Sequence, residues 1–138
     1  MIKQILTHYK KSYIIKSFKE YINKKLILYE KYNPHGNITY RYRKNIQQWQ
    51  KWIYDENNNN TYYETSKGIV WNALYNQYNQ ITLEVSNMGK YKEFKYDEFN
   101  RLISVEAGNT LSERKPIITQ YTYDENGEKN RIFNISNL

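Results

Sequence analysis

The 138-residue chain has no cysteine, two histidines, three aspartates and no long apolar run, and each shortage narrows what it can be. Without cysteine there is no disulfide staple and no thiolate metal site, which fits a reducing compartment. Hydrophobic residues are 39% of the chain and the mean hydropathy is −0.97, low for a core buried between two layers. Around Lys3, Lys10 and Lys11 the apolar groups are short and no small-residue cleavage site follows, so neither a signal peptide nor a membrane span is expected. The expected location is the cytoplasm of a bacterial host.

Catalytic equipment is equally sparse. His8 and His35 are the two histidines, and no Gly-x-Ser-x-Gly elbow, phosphate loop or metal-ligand spacing occurs. Asp55-x-Asn57-x-Asn59 begins like a calcium loop, but Asn60 replaces the required glycine and Ser66 stands at the terminal glutamate position. Neither an enzymatic activity nor a cofactor is expected.

What the chain does contain is a repeat. Tyr-Asx, two freer positions and then Gly or Asn occurs at Tyr32-Asn33-Pro34-His35-Gly36, Tyr54-Asp55-Glu56-Asn57-Asn58, Tyr75-Asn76-Gln77-Tyr78-Asn79, Tyr96-Asp97-Glu98-Phe99-Asn100 and Tyr123-Asp124-Glu125-Asn126-Gly127. The tyrosines are 22, 21, 21 and 27 residues apart, a period that marks a stacked supersecondary unit. Asx at the first corner accepts a backbone hydrogen bond from two residues on, and Gly or Asn at the fourth tolerates the left-handed conformation that closes a hairpin through a bulge. All three aspartates lie in these copies, so turn chemistry accounts for them. Further turns are read at Ser66-Lys67-Gly68, Asn87-Met88-Gly89 and Ala107-Gly108-Asn109, and the stretch from Asn109 to Pro116 reads as an inserted loop.

Lys95-Tyr96-Asp97-Glu98-Phe99-Asn100-Arg101-Leu102-Ile103-Ser104 and Gln120-Tyr121-Thr122-Tyr123-Asp124-Glu125-Asn126-Gly127 resemble the tyrosine-aspartate (YD, or RHS-type) repeats, whose pattern is Tyr-Asp-x-x-Gly-Arg-Leu. The resemblance covers roughly residues 26 to 135. Asn stands where the family prefers Gly in three copies, and the arginine-leucine pair survives as Arg101-Leu102. In that family the repeats build sheets that spiral into shells around toxins, which five units are too few to do. The resemblance implies a twisted antiparallel meander of about ten strands, a mainly β fold.

The expected organisation is one domain over 1–138, with a basic segment 1–25 and five hairpin repeats over 26–138. Trp52 with Tyr54, Phe94 with Tyr96 and Tyr121 with Tyr123 fall every other residue, the spacing of one sheet face, so aromatic ladders are expected to hold the sheet. In segment 1–25, Ile2, Ile5, Leu6, Tyr9 and Tyr13 share one helical face and Ile14, Phe18, Tyr21 and Ile22 another. A helix followed by a second short element is expected there; the alternative is a decayed sixth repeat beginning at Tyr9.

Charge is unevenly spread. Residues 1 to 51 hold 12 basic and 2 acidic residues, while residues 52 to 138 hold 9 basic and 12 acidic ones. Tyr40-Arg41-Tyr42-Arg43-Lys44, followed by Trp49, Lys51 and Trp52, suits phosphate contacts with base stacking. Lys24, Lys25, Arg41, Arg43, Lys44 and Lys51 are the candidate cations, with Tyr42, Trp49 and Trp52 for stacking; a solvated lysine-rich face is the plain alternative. Along a strand, Arg41 and Arg43 point away from Tyr40 and Tyr42, so rings and charges need not share a surface. The expected partner is RNA or a ribonucleoprotein. The other expectation is a protein partner held by the aromatic sheet or an edge strand, with homodimerisation open. Asn, Lys, Ile and Tyr make up about half the chain, a low-GC signature like that of phage or mobile-element proteins. That background is similar to anti-CRISPR inhibitors of nucleic-acid-guided defence; the alternative is an orphan partner or fragment of an RHS-type toxin system.

Overall fold

A computed structural model describes residues 1–10 and 13–136. These form two compact units, Met1–Val70 and Trp71–Leu138. The first unit is an antiparallel meander of β1 (Ile2–His8), β2 (Ile15–Ile22), β3 (Lys25–Tyr32), β4 (Ile38–Arg43), β5 (Gln48–Tyr54) and β6 (Asn60–Thr65), each strand paired with its neighbour in sequence. The second is a meander of β7 (Val70–Tyr75), β8 (Ile81–Ser86), β9 (Lys90–Tyr96), β10 (Leu102–Asn109), β11 (Ile117–Tyr123) and β12 (Lys129–Ser136). The mainly β meander is as expected, with twelve strands among the described residues where about ten were expected.

Turn chemistry recurs in every copy of the motif. The Asx oxygen Oδ1 accepts two backbone N–H groups: His35 and Asn37 at Asn33, Asn57 and Asn59 at Asp55, Tyr78 and Gln80 at Asn76, Phe99 and Arg101 at Asp97, Asn126 and Glu128 at Asp124. The fourth corner is left-handed throughout, at Gly36, Asn58, Asn79, Asn100 and Gly127. Each hairpin is therefore a tight turn closed by a glycine-type bulge. The opposite turns share a 21-residue step of their own: Gln47, Gly68 and Gly89 donate their N–H to Lys44, Thr65 and Ser86. Gln47 is left-handed without glycine, which is why that turn is silent in the sequence.

Two further devices lock register. Between each of four motif tyrosines and the residue before it the register shifts, the partner strand carrying one extra residue there, Thr39, Thr61, Thr82 or Ile103. The motif tyrosines themselves reach back one repeat: Tyr54 Oη donates to the Ile38 carbonyl at 2.8 Å, Tyr96 to Ile81 at 2.7 Å and Tyr123 to Leu102 at 2.7 Å. Burial pushes the hydroxyls of Tyr54 and Tyr96 above the usual tyrosine range, so they remain donors.

The helix expected in residues 1–25 is not formed; β1 and β2 are strands joined by a hairpin in which Tyr9 N–H donates to the Ile14 carbonyl. Tyr9 Oη also donates to the Tyr32 carbonyl, tying this hairpin to the first motif. The helical reading fails because the described residues of this unit form no second layer to receive an apolar stripe. Both sheet faces are open: among the described residues the buried hydrophobic core is Ala73 alone, and the buried charged residue is Glu30. Aromatic rings and cross-strand pairs replace a core.

Candidate nucleic-acid interface

Strand register in the first unit sorts its side chains onto two faces. One face carries the row Leu6, Phe18, Glu30, Arg41, Gln50, Thr65 across β1 to β6. The opposite face carries the row Ile5, Lys19, Tyr29, Tyr42, Trp49 and, beside it, the row Thr7, Ser17, Lys31, Tyr40, Lys51, Glu64.

The Glu30 face satisfies itself. Arg41 Nε donates to Glu30 Oε1 at 2.7 Å, and Tyr32 Oη donates to the second carboxylate oxygen. The Arg41 guanidinium lies 5.9 Å from the Trp52 ring, which in turn packs on Tyr63 with centroids 5.4 Å apart. Burial pushes the Tyr32 hydroxyl up to about 12, helped by its bond to Glu30 and by that carboxylate's charge, with Arg41 acting against. Glu30 is 8% exposed, so its charge is answered by Arg41 and not by water.

The opposite face interleaves lysines with rings. Lys19 Nζ is 5.1 Å from the Tyr29 centroid, Lys31 Nζ is 5.6 Å from Tyr29 and 5.9 Å from Tyr40, and the two tyrosines meet edge to face at 6.1 Å. Ion pairs among the described residues are Arg41 with Glu30 and Arg101 with Asp97, so Lys19, Lys31 and Lys51 hold no carboxylate at ion-pair distance, and the carboxylate nearest in register is Glu64, opposite Lys51.

The nine residues singled out in the sequence fall in three places. Tyr42, Trp49 and Lys51 share the lysine–tyrosine face. Arg41, Arg43 and Trp52 lie on the Glu30 face, where Arg41 is already engaged. Lys24 lies in the β2–β3 turn with Lys25 opening β3, and Lys44 lies in the β4–β5 turn, on the same rim of the unit as Lys67, whereas Asp55 and Glu56 tip the opposite rim. The separation of the arginines from Tyr40 and Tyr42 holds, but Lys19 and Lys31 supply charge to the ring side. Sequence reasoning missed these two; the alternations Lys19-x-Tyr21 and Tyr29-x-Lys31 were the available signal.

In the second unit, Trp71, Glu84, Lys92 and Ala107 border an apolar hollow of about 470 Å³. Tyr91 bonds Glu106 at 2.8 Å, which pushes the Tyr91 hydroxyl up, and its ring lies where a Cβ on Gly108 would be 2.8 Å away. No cluster of three His, Asp or Glu suited to a metal ion occurs among the described residues. No helix among them is long and apolar enough to cross a membrane.

Neither a family model nor a curated protein matches the chain. Solved structures that match include the crystal structures of TcdB2-TccC3-TEV and TcdB2-TccC3-Cdc42, each at 10% identity and a TM-score of 0.40 over 94% of this chain. The chain spans 10% of the length of each.

Proposed function

We propose that the protein is a non-enzymatic, YD-repeat-like binding module whose lysine–tyrosine face takes RNA, alone or within a ribonucleoprotein. The observation that carries this reading is the placement of Lys19, Lys31 and Lys51 on the same face as Tyr29, Tyr40, Tyr42 and Trp49. Phosphates are drawn to the ammonium groups while bases cover the rings. A lysine resting on an exposed ring gains about 0.5–1 kcal/mol, less than the roughly 1.5–3 kcal/mol of a hydrogen bond to a charged group, so a phosphate draws the ammonium off the ring. The first unit holds 13 basic against 5 acidic residues, which steers a polyanion to it.

Fluorescence anisotropy with a labelled single-stranded oligoribonucleotide tests this directly. Lys31→Glu with Lys51→Glu abolishes binding while the melting temperature stays within the range of a surface change, about 0.5 kcal/mol per site. Unchanged affinity at low salt refutes the assignment.

A second reading is a protein-binding surface, favoured by the apolar hollow beside Trp71. Capture of a nuclease-insensitive partner, lost in Trp71→Ala, would favour it. A nuclease-sensitive ribonucleoprotein in the same pull-down supports the wider role of a phage-type inhibitor of nucleic-acid-guided defence.

A further inference from the structure

At the β1–β2 end of the lysine–tyrosine face lies a hollow of about 540 Å³ bordered by Met1, Lys3, Ile5, Tyr21, Asn23 and Lys24. Lys3 stands opposite Tyr21 and Ile5 opposite Lys19, so the hollow opens onto the same face as the tyrosine row and continues it toward the sheet edge. Its composition is a ring and an aliphatic side chain with a cation on either side.

The turn beneath it carries an independent sign. Ile22 pairs with Lys25, leaving Asn23 and Lys24 as a two-residue hairpin loop, and both are left-handed, at φ 49° and 65°. That loop geometry favours Asn-Gly, because a side chain at the second position crowds the backbone at roughly 1–2 kcal/mol. Lysine is held in the glycine position, and Asn23 N–H donates to the Met1 carbonyl, closing β1 onto the turn. Such strain at a residue that borders a cavity points from conformation to function.

We infer that this hollow is a nucleotide subsite: Tyr21 and Ile5 receive one unstacked base, and Lys3 and Lys24 receive its phosphate. The inference rests on the RNA reading of the adjoining face and refines its substrate class to single strands, since a paired base has no free ring face to offer Tyr21.

Lys24→Gly is the informative variant because it relieves the strained turn, so loss of binding cannot come from misfolding. Anisotropy is measured across a salt series with a single-stranded oligoribonucleotide, with the duplex of the same sequence, and with Lys24→Gly, Tyr21→Ser and the Lys31→Glu, Lys51→Glu pair. The expected result is single-strand preference, about tenfold weaker single-strand binding in Tyr21→Ser, and a salt slope shallower by about 0.7 in Lys24→Gly. Equal affinity for the duplex overturns the inference. So does wild-type binding by Lys24→Gly and Tyr21→Ser when the Lys31, Lys51 pair has lost it, a result that leaves the face reading standing. Absence of RNA binding by the unaltered protein overturns both.

Discussion

The two faces of the first unit are built from the same materials, rings and cations, yet they end in opposite states. On one, Glu30 draws in Arg41 and Tyr32, and Trp52 completes a cluster that answers its own charge. On the other, no carboxylate comes between Lys19, Lys31 and their tyrosines, and positive charge is left facing solvent. One buried carboxylate separates a structural cluster from the proposed binding surface. Composition cannot make that distinction, because an arginine beside a tryptophan reads as a stacking site until its partner across the strand is known.

The contrast can be broken most severely at its source. Glu30→Leu leaves the guanidinium of Arg41 and the hydroxyl of Tyr32 without an acceptor and should lower stability by about 2 kcal/mol in urea denaturation, whereas Lys31→Gln should leave it nearly unchanged. Equal effects of the two would show that the faces do not differ as described. A smaller loss, about 1 kcal/mol, is expected for Tyr54→Phe, which removes the donor to Ile38 and keeps the ring. RNA affinity should be unaffected, which separates a tyrosine that holds repeats together from those offered to a ligand.

One further effect is confined to alkali. Tyr32 titrates near 12 in the folded protein against about 10 unfolded, so its contribution is fully present below about pH 10 and is lost as pH rises toward 12. Tyr32→Phe should flatten that part of the stability profile measured by urea denaturation on both sides of pH 10. An unchanged alkaline slope would mean that neither burial nor Glu30 raises the Tyr32 hydroxyl.

Much of the fold was legible because its turns are written in residues with few alternatives. Asp97 followed by Asn100 specifies a corner that few other pairs satisfy, and the same chemistry recurs at every motif. The aspartate prefers its charged state there: burial opposes it, but the N–H groups and guanidinium of Arg101 outweigh burial and hold it below the usual carboxylate range. The β4–β5 turn was illegible, since Gln47 adopts by context what glycine adopts by nature. The first hairpin was misread for a different reason. Every residue of β1 is exposed, so its apolar side chains follow no two-residue alternation and fit a helical period by accident. Part of the proposed interface was visible in Tyr42, Trp49 and Lys51. The remainder depended on register, which decides that Lys31 meets Tyr40 across the sheet and that Arg41 meets Glu30.

Register has a last consequence, for the speed with which the molecule assembles. Every described pairing joins strands adjacent in sequence, and even the wide one between Ile2 and Ile22 closes a short loop. Long-range pairing is what slows most all-β chains, through the entropy of closing large loops. Here each motif hairpin can nucleate on its own Asx turn and recruit the next by its tyrosine hydroxyl, so folding should run along the chain at the pace of successive hairpins.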